Sequence, residues 1–109
     1  MGLKYYLTLL QTLVKLDNDL FSIILPYLES NVREVIYLCI YNVIYHSKGR
    51  INQDLRHQLH DLIEDKRDEL EILATKHGNK LQKRRMLRSL GPELRLILSA
   101  AIPLIIMSK

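Results

Sequence analysis

Six cations, Lys76, Lys80, Lys83, Arg84, Arg85 and Arg88, fall within thirteen residues that contain no acid. On one helix Lys80, Arg84 and Arg88 share a face, because side chains four apart lie one above the next. Lys76 extends that line only if the helix runs unbroken through Gly78. Such a row can follow a phosphate backbone, each contact releasing counterions, so that affinity falls steeply with salt. It carries no pattern for reading base edges, so little sequence preference is expected. The same run also suits a solvated basic face or a nuclear localisation signal.

Other chemistry has weaker support in the residues. His57 and His60 lie three apart beside Asp61 and Glu64, a spacing that could share a metal only with ligands from elsewhere. On a charged helix face two surface histidines are the simpler expectation. His46 and His77 fall near helix ends, where an imidazolium suits the helix dipole. No Gly-rich phosphate loop, nucleophile elbow or paired-Cys motif occurs. The carboxylates cluster beside Lys and Arg on what reads as a solvated face, which supplies neither a cleft nor shifted pKa values. No enzyme, metal or cofactor is expected. Tyr37, Tyr41 and Tyr45 form a stripe at intervals of four with no Lys or Arg between them. Core packing or self-association is the better use for it than base stacking. Cys39 lies on an opposing apolar stripe and reads as a small buried hydrophobe.

The elements that must hold these residues are all helical by periodicity. The spacing predicts a helix over 4–16, then capping chemistry at Asp17-Asn18-Asp19. A second helix over 20–28 is interrupted by Pro26, predicting a kink or early stop. Asn31 with Glu34 three residues later resembles a capping box for a third helix. That helix is apolar on two sides, which places it centrally or at a dimer interface. Lys48-Gly49-Arg50 would end it. Asn52 would cap a long fourth helix over 53–77, with Leu55, Leu59, Leu62 and Ile63 inward, less neatly continued by Leu70, Leu73 and Ala74. Gly78-Asn79 would close that helix. A basic helix over 80–90, a break at Gly91-Pro92 and an apolar helix over 93–107 complete the chain. No internal repeat and no convincing strand appears.

At 109 residues and 48% hydrophobic residues, the chain fits one modest globular domain rather than a disordered segment. One cysteine cannot form an internal disulfide, which fits a reducing compartment. No signal peptide is evident at the start. The net charge of +4 is divided unevenly. Residues 1–75 carry eight Lys/Arg against eleven acids, a net −3, whereas residues 76–109 carry eight against one, a net +7. Such asymmetry points to an anionic partner at one end. The tail from Leu94 to Met107 contains Arg95 and Pro103 and falls short of the ~20 residues needed to span a bilayer. It reads foremost as the last core helix, and otherwise as an interfacial segment paired with the basic run.

Lys83-Arg84-Arg85-Met86-Leu87, then Gly91, then an apolar stretch ending Ala100-Ala101-Ile102-Pro103-Leu104-Ile105-Ile106 resembles the C-terminal signature of the adenovirus core protein X (mu) precursors. It is also similar to short basic proteins of Maverick/Polinton-type elements and adintoviruses. Leu38-Cys39 through Asn42-Val43-Ile44 resembles, more loosely, a Cys-containing helix upstream in the element proteins. Two departures stand out: the glycine pair is here Leu90-Gly91-Pro92, and the dense Arg-rich tract of the adenovirus proteins is absent. The resemblance implies a virion-associated protein that contacts the genome or the inner capsid, with Lys83, Arg84, Arg85 and Arg88 as phosphate contacts.

The expectation is therefore an all-α, compact bundle of five or six helices, residues 1–77 forming the bundle core and 78–109 adding the basic and apolar helices to the same domain. Its expected role is that of a non-enzymatic viral or mobile-element structural protein that binds nucleic acid non-specifically through Lys76, Lys80, Lys83, Arg84, Arg85 and Arg88. It would act in the virion and the host nucleus or cytoplasm and would not be secreted. Expected partners are nucleic acid or another anionic surface, a second copy through Tyr37, Tyr41 and Tyr45, and a capsid protein. A membrane-docking protein and a helical protein-interaction module are the alternatives.

Overall fold

The computed structural model describes residues 6–46, 53–75 and 79–107. Among them the chain forms seven α-helices, a 3₁₀ turn and no strand: α1 (Leu7–Leu13), α2 (Asn18–Ile24), the turn Leu25–Tyr27, α3 (Ser30–His46), α4 (Gln53–Asp65), α5 (Arg67–Ala74), α6 (Lys80–Ser89) and α7 (Gly91–Met107). The all-α class is as expected. The helix count exceeds the expected five or six because the long fourth helix breaks at Lys66.

That break has a cause in the sequence. Leu59, Leu62, Ile63, Leu70 and Leu73 keep helical spacing, and position 66 falls on the same stripe. Lys66 leaves helical geometry, with φ −116° and ψ 22°, and is half-buried. A straight helix would carry its ammonium toward the core, at the desolvation cost of a buried charge. Backbone hydrogen bonds from Lys66 to Leu62 and from Leu70 to Lys66, each 3.0 Å, carry the chain through the kink. Outside, Arg67 bridges Glu64 (3.0 Å) and Glu71 (3.6 Å) across it. These pairs are exposed and contribute little singly.

Caps account for the other boundaries. The Asp17 carboxylate accepts from the Leu20 amide at 2.8 Å and starts α2. Pro26 lies in the 3₁₀ turn, after which Leu28 is extended, so the expected interruption is a stop. Helix α3 begins at Ser30, earlier than an Asn31 cap would place it; Asn31 Oδ1 accepts from the adjacent Val32 amide at 3.0 Å. Asn79 opens α6 rather than closing the helix before it, accepting from the Gln82 amide at 2.8 Å. Expectations for Lys48-Gly49-Arg50, Asn52, Lys76, His77 and Gly78 lie outside the described residues.

Helix α7 is the hub of the fold. It packs against α1, α2, α3, α4 and α6. Leu94, Ile97, Leu98, Ala100, Ala101, Leu104 and Ile105 are buried along it, so the apolar tail is core. Pro103 faces solvent within the helix. Among the described residues no single helix is long and apolar enough to cross a membrane. At the start of α7, Gly91 sits so close to α2 that an added Cβ would lie 1.8 Å from Ser22 Oγ and 2.6 Å from Ser22 Cβ. Arg95 ties the same corner, its Nε donating to the Val14 carbonyl (2.8 Å) and Nη1 to Asn18 Oδ1 (3.0 Å). Apart from α6, the helices packed on α7 are α1 to α4, so this last helix completes a core that the earlier helices begin.

Candidate nucleic-acid interface

Helix α6 meets α7 at 91° and lies across the 3₁₀ turn, α2 and α5. Leu87 and Leu90 are buried beneath it. At 100° per residue, a helix fixed by Leu87 and Leu90 must turn most of its remaining positions outward. Lys80, Leu81, Gln82, Arg84, Arg85, Arg88 and Ser89 are exposed. Lys80, Arg84, Arg85 and Arg88 are thus displayed because Leu87 and Leu90 hold the opposite face of α6 against the turn, α2 and α5.

The five expected phosphate contacts among the described residues separate into distinct environments. Lys80, Arg85 and Arg88 are exposed and make no side-chain hydrogen bond or ion pair among the described residues. Arg84 is exposed, but its Nε donates to the Pro26 carbonyl at 3.1 Å. That bond fixes the guanidinium beside the 3₁₀ turn. Lys83 is half-buried and turned inward: its Nζ donates to the Thr75 carbonyl at 2.5 Å and sits 4.8 Å from the centroid of the Tyr37 ring. Satisfying a carbonyl at the end of α5 with an ammonium and placing it over an aromatic face are both stabilising. Lys83 therefore pins α6 to α5 and α3. Lys76 lies outside the described residues.

The tyrosines divide as well. Tyr37 is packed within its own chain, where burial raises its hydroxyl pKa, Arg33 lowers it, Glu34 raises it and Arg84 lowers it. It does not belong to an outward face. Tyr41 and Tyr45 are partly exposed, their ring centroids 4.9 Å apart at 51°, and Leu38 is exposed on the same helix. Cys39 is fully buried, and burial pushes its thiol up to about 12. It is a packed hydrophobe with negligible thiolate at neutral pH.

The flanks of α6 differ in charge. One side opens on a shallow depression of about 400 Å³ lined by Glu69, Asn79, Leu81, Gln82, Arg85, Met86 and Ser89, so a carboxylate stands there. On the other side Arg84 meets the turn that carries Pro26 and Tyr27. Two residues at this place have no signal in the basic run. Arg33 acts electrostatically on Tyr37 together with Arg84, so it adds a cation from α3; it stands four residues before Tyr37, the spacing that could have revealed it. Tyr27 is 74% exposed, the most exposed large hydrophobic side chain among the described residues. His57 and His60 are exposed on α4, and among the described residues no group of three His, Cys, Asp or Glu is placed to hold a metal.

Comparison of this chain with protein-family models, with curated proteins and with solved structures finds no match.

Proposed function

We propose that this chain is a non-enzymatic viral or mobile-element structural protein that binds the phosphate backbone of nucleic acid without sequence preference, through α6. The observation that carries the proposal is the display of Lys80, Arg84, Arg85 and Arg88 on one exposed helix whose own sequence contains no acid. Lys83, turned inward, holds that helix in place. Burial of α7 favours this role over membrane docking, since the apolar segment a membrane would take is occupied by the core. The resemblance of the C-terminal third to adenovirus core precursors and Maverick-type basic proteins supports a place in the virion, beside the genome or a capsid protein. Self-association would use the outward face of α3 at Leu38, Tyr41 and Tyr45.

A salt titration of binding to a short duplex DNA tests the proposal. Lys80, Arg85 and Arg88 changed together to Ala are expected to lower the slope of log affinity against log salt by about 2.7, at roughly 0.9 for each lost phosphate contact. All three are exposed, so the fold should persist, which a thermal melt checks. An unchanged slope, or no binding by the wild type at ~50 mM salt, would exclude α6 as a phosphate-binding helix.

A further inference from the structure

Tyr27 is the aromatic group that the phosphate-binding reading leaves unused. It ends the 3₁₀ turn, is 74% exposed, and follows Pro26, whose carbonyl accepts the Arg84 Nε at 3.1 Å. The turn is held from both sides: buried Leu25 and Pro26 anchor it in the core, and Arg84 ties it to α6. A large aromatic ring is thus kept in water on a fixed backbone, one residue from an anchored guanidinium. Lys80 and Arg88 lie one turn to either side of Arg84, about 6 Å away along the helix axis at 1.5 Å per residue.

A flat aromatic platform beside a row of cations is the arrangement by which proteins hold single-stranded nucleic acid. The cations follow the backbone and the ring stacks on an unpaired base. A duplex offers phosphates to the row but no free base face to the ring. We infer that α6 and the 3₁₀ turn together form a single-strand binding groove, with Tyr27 stacking on a base whose flanking phosphates lie on Lys80, Arg84 and Arg88. This rests on the proposed phosphate-binding role of α6 and adds to it a preference for unpaired strands. Leu20 and Ile23 on the helix leading into the turn, seven and four residues before Tyr27, are exposed at 41% and 53%.

The test compares a fluorescent oligo-dT strand with a duplex of the same length, using the full chain, Tyr27→Ala, Tyr27→Phe and the Lys80/Arg85/Arg88 triple Ala variant. Tyr27→Ala is expected to weaken oligo-dT binding by about ten-fold, within the range of a single base stack. It should leave duplex binding unchanged, and Tyr27→Phe should bind the strand like wild type because the ring is kept. Equal oligo-dT binding by Tyr27→Ala and wild type overturns the inference, as does an equal loss for strand and duplex. Anionic phosphatidylserine vesicles provide a further arm. If Tyr27→Ala loses vesicle binding and keeps oligo-dT binding, the platform is a membrane contact and the inference fails. If only the triple variant loses binding, for strand and duplex alike, phosphate recognition by α6 stands and the stacking role of Tyr27 falls.

Discussion

Leu98→Ala is expected to destabilise the protein by about 3–4 kcal/mol, near the middle of the range for emptying a buried leucine site. Leu98 is fully buried at the centre of α7, among Leu94, Ile97 and Ala101 on the same helix. Because α7 touches five other helices, no single neighbour can move in to fill the space, and the cavity term adds to the lost transfer energy. For a domain of this size stability is about 5–15 kcal/mol, so the loss is a large fraction of the total. A fall in melting temperature of roughly 15 °C should follow. Ile106→Ala, near the end of the same helix, is the control: that side chain is 54% exposed, and its loss should change stability by about 0.5 kcal/mol or less. Similar small effects at both positions would mean that α7 is not core.

Gly91→Ala should cost about 2–3 kcal/mol, although alanine is the better helix former by nearly 1 kcal/mol. The new Cβ would meet Ser22 Oγ at 1.8 Å, Cβ at 2.6 Å and Cα at 3.0 Å. Rotating the hydroxyl relieves the first contact and leaves the other two, so the start of α7 must move off α2. Arg95, one turn along, would then lose its grip on Val14 and Asn18. Ser22→Gly removes both side-chain contacts. The double variant should therefore recover about 1–2 kcal/mol relative to the sum of the single changes, as coupled neighbours do. Denaturant melts of the four proteins give the cycle directly. A Gly91→Ala variant as stable as wild type, with no coupling to position 22, would contradict the close approach of α2 and α7.

Those two sites also mark where sequence is informative. Gly91-Pro92 reads as a break between α6 and α7; the chain in fact turns at Leu90, and both residues open α7, where a proline at the second position needs no donor. The contact of Gly91 with Ser22 leaves no trace in the residues, since it depends on how α2 and α7 are brought together. The same holds along the basic run. Charge and spacing place Lys80, Arg84, Arg85 and Arg88 on a helix, and Arg84 and Lys83 nonetheless hydrogen-bond to Pro26 and Thr75, partners set by tertiary packing. On α3, tyrosines at intervals of four read as one stripe. Each step of four advances about 40° around a helix, so Tyr37 is buried while Tyr41 and Tyr45 turn partly into water. Tyr27 gives no signal in the sequence, where Pro26 reads only as a helix breaker. Its value lies in the anchored, exposed turn that the proline helps to make.

The lysine at position 66 is an instructive intermediate case. The irregular stripe over Leu70, Leu73 and Ala74 is apparent, and its cause, a cation on an apolar line, is present in the residues. What decides the outcome is the cost of burying that charge against the cost of a kink. The kink costs little, as the backbone hydrogen bonds at Lys66 and Leu70 are kept at 3.0 Å.

Amide NMR of the full chain, titrated with a short oligo-dT strand at low salt, tests most directly whether α6 and the turn beside it are the functional face. The largest perturbations should fall on Lys80 to Arg88 and around Tyr27, and should vanish as salt is raised, with α4 and α5 essentially unmoved. Perturbations centred on α4 and α5, or on the Leu38, Tyr41 and Tyr45 face of α3, would contradict that assignment and place the binding surface elsewhere on the molecule.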